Sequence, residues 1–215
     1  MESQYHGNAF EDTIIYFTTG VNKTEYSKFI PYTASMDIQQ GTLSDSNVSV
    51  KTSKDGKYVC GADALNFYKH TSVSEFKLVV GVYHQTGNTK RYGSIYEFDF
   101  SPDIHPIVWG GLSETNLLSY KNYITSIPAG RDAQKEHNKI WKEKRKALMK
   151  TLSVKPIIQL NPKIDSKNQR RLQCSMTLNN MVANIPYTVY TNNYKGLSLP
   201  YDQQSPPRAR SSRTA

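Results

Sequence analysis

An α/β (α+β) fold with a mixed central β-sheet flanked by helices is predicted by three observations. Helix-like and strand-like segments alternate along the chain, in the order helix, strand, strand, helix, strand, strand, helix, helix, strands. Phe76 to Tyr83 reads Phe-Lys-Leu-Val-Val-Gly-Val-Tyr, a run apolar enough for a central strand buried on both faces. Near the N-terminus, Ala9, Phe10, Ile14 and Phe17 recur at helical spacing.

The elements follow in order. His6 to Phe17 is predicted as a helix, with Asn8 as its N-cap and Gly20 as its end. Tyr32 to Ile38 reads as a strand entered through Pro31, and Gly41 to Asn47 is rich in turn residues. Val48 to Thr52 alternates as a strand, Ser53 to Gly56 forms a turn, and Tyr58 to Cys60 continues the sheet. Asp63 to Tyr68 is a short helix opened by Asp63. Gly87 to Gly93 is a polar turn after the central strand, and Ser94 to Phe100 is a further strand. Pro102 to Gly111 reads as irregular around Trp109. Asn116 to Ile124 is helical, Pro128-Ala129-Gly130 breaks the chain, and Arg131 to Leu152 is a long helix. Ile157 to Leu160 and Gln173 to Leu178 read as strands joined by a polar connection.

The 215 residues suit one domain over residues 1–200, with a catalytic core at about 6–110 and a DNA-contact half at about 111–200. Residues 201–215 read as a disordered basic tail carrying Arg208, Arg210 and Arg213. No apolar run approaches the roughly 20 residues of a membrane span, and no signal peptide is visible. Two distant cysteines, Cys60 and Cys174, cannot form a disulfide scaffold or a zinc site alone, and suit a reducing, cytoplasmic setting. The net charge of +9 favours a polyanionic partner. There is no phosphate-binding P-loop, dinucleotide fingerprint or Gly-x-Ser-x-Gly elbow, and the five histidines lack metal-ligand spacing.

The candidate chemistry lies at Met36-Asp37-Ile38 and, twelve residues after Asp37, at Ser49-Val50-Lys51. Strand alternation puts Ser49 and Lys51 on one face and sends Val48 and Val50 into the core. An Asp on one strand-like segment and a Lys on the next is the layout of a metal-dependent nuclease. The Asp holds a divalent cation such as Mg²⁺, and the Lys orients the attacking water and steadies the phosphorane charge. A second carboxylate is usual. The neighbour of Lys51 on its face is Ser49, so the second acid has to come from Asp45, in the turn, or Glu11, on the first helix. Gln85 stands just beyond the central strand and is placed towards this site.

Gly7-Asn8-Ala9-Phe10-Glu11, Met36-Asp37-Ile38, Val48-Ser49-Val50-Lys51-Thr52-Ser53 and Gly61-Ala62-Asp63-Ala64, in this order and spacing, resemble type II restriction endonucleases of the PD-(D/E)xK superfamily. The resemblance covers about residues 6–85 and reaches more loosely to Cys174 and Ser175. It implies a restriction-endonuclease-like fold and a Mg²⁺-dependent, site-specific cut in double-stranded DNA by a homodimer, leaving 5′-phosphates. It also implies that Glu11 and Asp37 hold the metal and that Lys51 activates water; Ser49, at the position of the missing acid, is expected to hydrogen-bond a metal-bound water. Met36 stands for the family's usual Pro, and Ser49 for its usual Asp or Glu.

Lys163, Lys167, Asn168, Gln169, Arg170, Arg171 and Gln173 cluster long donors suited to reading base edges in the major groove. The helix from Arg131 to Lys150 holds eight Lys or Arg against three acids, which suits phosphate contacts. Two other functions fit the same charge balance. One is a non-enzymatic nucleic-acid-binding structural or packaging protein; the other is a structure-specific repair nuclease.

Overall fold

The structure, a computed structural model, describes residues 2–30, 36–165 and 169–204, with side chains from Ala9 onward. The chain is mixed α/β and divides into two compact units. Unit 1 comprises residues 1–57, 76–99 and 187–215; unit 2 comprises residues 58–75 and 100–186. The division cuts the chain at residues 57/58, 75/76, 99/100 and 186/187. It follows from strand pairing: β1 (Val48–Lys54) and β3 (Phe76–Thr86) are parallel neighbours. Parallel strands cannot be joined by a tight turn and need a crossover connection. That connection carries β2 (Tyr58–Asp63) and α3 (Ala64–Val73), and β2 pairs with β6 (Arg170–Thr177), more than a hundred residues later.

Unit 1 is built on a mixed sheet in the order β1-β3-β4-β10, with β7 also on β4. β4 (Thr89–Phe100) follows β3 after the two residues Gly87 and Asn88, a connection that joins antiparallel strands. It starts five residues before the expected Ser94, because Lys90 and Tyr92 are buried and pair with β10. β7 (Tyr187–Tyr190) and β10 (Tyr201–Gln204) run antiparallel to β4, and β8 (Asn193–Tyr194) pairs with β9 (Leu197–Ser198) between them. Residues 201–204, expected in a disordered tail, are thus a strand. Tyr92 donates to Gln203 at 3.2 Å, and Arg91 pairs with Asp202. Residues 205–215 lie outside the described residues.

α1 (Glu2–Thr19) starts earlier than the sequence suggests, so Asn8 lies inside it and is not its N-cap. Its face at Phe10, Ile14 and Ile15 is buried with Val48, Val50, Val79, Tyr92 and Ile95 in one core. α2 (Lys23–Tyr26) is capped by Asn22. Of the strand expected at Tyr32–Ile38, residues 32–35 lie outside the described residues. The remainder is a single antiparallel bridge, Ile38 to Val48.

Unit 2 holds a three-stranded sheet in the order β2-β6-β5, where β5 spans Gln159–Ile164. Asp63 caps α3 as expected, accepting from Asn66 N at 3.0 Å. Residues 102–109, expected to be irregular, form a 3₁₀ turn and α4 (His105–Trp109), with proline in the first turn of each. Proline is tolerated there because those N–H groups have no intrahelical partner. Trp109 is fully buried and donates its indole N–H to Thr71 Oγ1 at 2.9 Å. α5 (Glu114–Thr125) begins with a Ser113 capping box, α6 (Arg131–Thr151) is the long helix, and α7 (Leu178–Asn184) follows β6. Among the described residues no helix is long and apolar enough to cross a membrane.

Candidate active site and nucleic-acid interface

On β1, Val48 and Val50 are buried while Ser49 and Lys51 are half-buried on the other face. Lys51 Nζ donates to Val50 O at 2.8 Å and Ser49 Oγ at 3.0 Å, and lies 3.5 Å from Asp37 Oδ2. Asp37 Oδ2 also accepts from Val50 N at 2.6 Å and Ser49 Oγ at 3.3 Å. The Ile38–Val48 bridge sets the two segments side by side, which brings Asp37 beside Ser49 across their separation in sequence.

Glu11, on α1, lies close enough for the charges of Asp37 and Lys51 to act on its carboxyl. Its position follows from packing one residue earlier. Phe10 is fully buried, stacks on Tyr92 with ring centroids 4.4 Å apart, and lies flat over Gly81 of β3. Gly81 pairs with Thr52, next to Lys51. Burial pushes the Glu11 carboxyl above its ordinary value, and the Asp37 carboxylate pushes it the same way; Lys23 and Lys51 pull it down. Lys23 holds Glu11 at 3.0 Å and Asp12 at 3.3 Å. Burial opposes the charge on Lys23, but these two acids outweigh it and raise the ammonium pKa.

The donor set fits a small hard cation. Mg²⁺ takes one or two carboxylates and completes its shell with water and phosphate oxygens. Asp37 and Glu11 are two carboxylates whose charges act on each other, a repulsion that a cation between them relieves. Among the described residues, no group of three or more His, Cys, Asp or Glu is arranged to hold a metal. Asp45, the other candidate second acid, lines a different cleft. Gln85 turns back to the Gly87 carbonyl at 3.2 Å.

That second cleft, of about 390 Å³, has no counterpart in the sequence-based expectations. Asp45, Lys77, Glu97 and Lys195 line it. Glu97 is buried, takes Lys77 Nζ at 2.6 Å on one oxygen and the Tyr194 hydroxyl at 3.1 Å on the other. Asp99 takes a second bond from Lys77 at 3.1 Å. The signal was an acid set between Tyr96 and Phe98 in a strand, since a buried charge requires partners.

In unit 2 the β5–β6 ribbon sorts the expected DNA-contact residues by face. Lys163 is the cross-strand partner of Arg171, and Asn161 of Gln173. Two like charges directly opposite each other repel, a cost that an anion laid over them removes. Arg171 also bonds Gln169 Oε1 at 2.9 Å. Arg170 alternates to the other side and pairs with buried Ile164. Its guanidinium donates to the carbonyls of Ile127 (3.0 Å), Pro128 (2.5 Å), Asp165 (2.8 Å) and Gln169 (3.0 Å). Arg170 is thereby tied to backbone, whereas Lys163, Arg171 and Gln173 share the polar face. Lys167 and Asn168 lie outside the described residues.

No protein-family model, no curated protein and no solved structure matches this chain.

Proposed function

We propose that this chain is a Mg²⁺-dependent endonuclease acting on double-stranded DNA, of the restriction-endonuclease-like PD-(D/E)xK kind, and that it works as a homodimer on two-fold sites. The observation that carries this reading is the convergence of Asp37, Ser49 and Lys51, joined by the charge of Glu11. Asp37 and Glu11 would hold the metal, which when bound polarises the phosphate and its water. Lys51 lies with its ammonium among three oxygens, and the contact to Asp37 is the longest of them. It exchanges that contact for a phosphate oxygen or the attacking water and stabilises the charge that develops. Ser49 would hydrogen-bond a water held there. Lys163, Arg171 and Gln173 meet the DNA, and Arg170 braces the ribbon that carries them.

A supercoiled plasmid incubated with Mg²⁺, against an EDTA control, tests the reading. Discrete fragments support site-specific cleavage, and a smear supports an unspecific or structure-specific nuclease. A retarded but intact plasmid supports the second reading, a nucleic-acid-binding structural or packaging protein, which the opposed Lys163 and Arg171 favour. Lys51→Met should lower the cleavage rate by on the order of 10² to 10³, the usual loss when a transition-state donor is removed. Its affinity for the same DNA in EDTA should stay within about threefold; undiminished cleavage would refute the role of Lys51.

A further inference from the structure

We propose that the outer face of α6 is a rail that grips the nucleic-acid phosphate backbone without reading its sequence. Arg131, Lys135, Lys139, Lys142, Lys146 and Lys150 follow one another at intervals of four, four, three, four and four residues, and all six are exposed. At 3.6 residues per turn they fall within an arc of about 100° and form a row about 28 Å long. The three acids of the helix, Asp132, Glu136 and Glu143, sit together along one edge of that row. Among the described residues of this unit, the ion pairs Lys69–Glu114 and Lys121–Asp63 involve other residues.

The opposite side of α6 is already occupied. Trp141 is buried, and Tyr120 meets it edge-on at 4.7 Å. His137 bonds the Tyr123 hydroxyl at 2.9 Å, Lys144 lies over the Tyr123 ring at 5.1 Å, and Arg145 donates to Leu160 O at 3.2 Å. The apolar face therefore is not free to insert into a bilayer, as an interfacial helix requires. Like charges at four-residue spacing destabilise a helix. A row of them is a cost to folding that a bound polyanion removes. One strand of a DNA duplex carries a phosphate every 3.4 Å along the axis, so a row of this length spans about eight.

The rail rests on DNA as the partner, and not on the cleavage chemistry. Affinity for a 30-base-pair duplex is measured in EDTA across a salt series, with plasmid cleavage in Mg²⁺ measured separately. The variant Lys139→Gln, Lys142→Gln, Lys146→Gln should bind at least about tenfold more weakly at 0.1 M salt. Its log–log salt slope should flatten by up to about 2.7, or about 0.9 for each phosphate left without its lysine. The weakening should be the same on unrelated sequences. Lys28→Gln, Lys54→Gln, Lys57→Gln removes the same charge from exposed positions outside α6 and should stay within about twofold of the unaltered protein. The triple replacement of 139, 142 and 146 by Arg should keep full affinity, which separates loss of charge from loss of fold. Equal weakening by the two Gln triples, or no weakening by the α6 triple, overturns the rail. So does an α6 triple that loses only its binding to anionic phospholipid vesicles. An uncut plasmid with this pattern of DNA binding removes the nuclease and leaves the rail standing.

Discussion

Replacing Gly81 with alanine would set a methyl group where the Phe10 ring now lies. A Cβ on Gly81 falls 2.3 Å from Phe10 Cζ and 2.7 and 2.8 Å from its two Cε atoms. Carbon atoms rest at about 3.5 Å or more, so the ring must retreat by about 1.2 Å. That retreat disturbs a second contact, because the ring also stacks on buried Tyr92 at 4.4 Å. The displacement passes to α1, and Glu11 moves with it. Overpacking of this kind costs about 1–3 kcal/mol. A shift of about 1 Å in a group that positions reactants costs on the order of 10² in rate. Urea denaturation followed by circular dichroism, with amide exchange along β3, reads the first effect; plasmid cleavage reads the second. Phe10→Leu in the Gly81→Ala background should recover part of the stability, since it removes the ring that the methyl strikes. A Gly81→Ala protein of unchanged stability and unchanged β3 protection would refute the seating of Phe10 on β3, and with it the placement of Glu11 that follows from it.

Two further outcomes test the acid pair. The Glu11 carboxyl is raised by burial and by Asp37, so its contribution to stability is full only below its unfolded value, near 4.5, and is lost as pH rises through the folded value. Glu11→Gln should therefore melt above the unaltered protein at pH 7, with the gap closing towards pH 4; thermal melts across that range check the sign. Mg²⁺ or Ca²⁺ at ten times its dissociation constant should add about 1.4 kcal/mol to stability. Asp37→Asn should abolish that gain, and a gain that survives the substitution would move the cation elsewhere.

Much of unit 1 was legible because its signals are local. The alternation Val48-Ser49-Val50-Lys51 assigns faces before any partner strand is known, and β3 needs only its apolar run. The face of α1 at Phe10 and Ile14 follows from helical spacing. Where sequence and structure differ, the deciding contacts are distant. Tyr201–Gln204 looks like the start of a polar tail, and becomes a strand only because β4 offers an edge more than a hundred residues away. α4 is five residues long and lacks a periodic pattern, although Pro106 in its first turn was a usable sign.

By itself the sequence determined which residue types stand on which face of each long element, because side-chain direction follows backbone period alone. It put Ser49 and Lys51 on one face of the strand that follows the Asp37 segment, and it left the second acid open between Glu11 and Asp45. The tertiary structure sets these two acids in different surroundings. The Phe10 ring lies against the bare backbone of Gly81, which carries Glu11 into the field of Asp37, while Asp45 turns to the cleft of Lys77 and Glu97. It also separated Arg170 from Arg171, neighbours of identical chemistry, because the register of β5 against β6 sends one guanidinium to backbone carbonyls and leaves the other on the polar face.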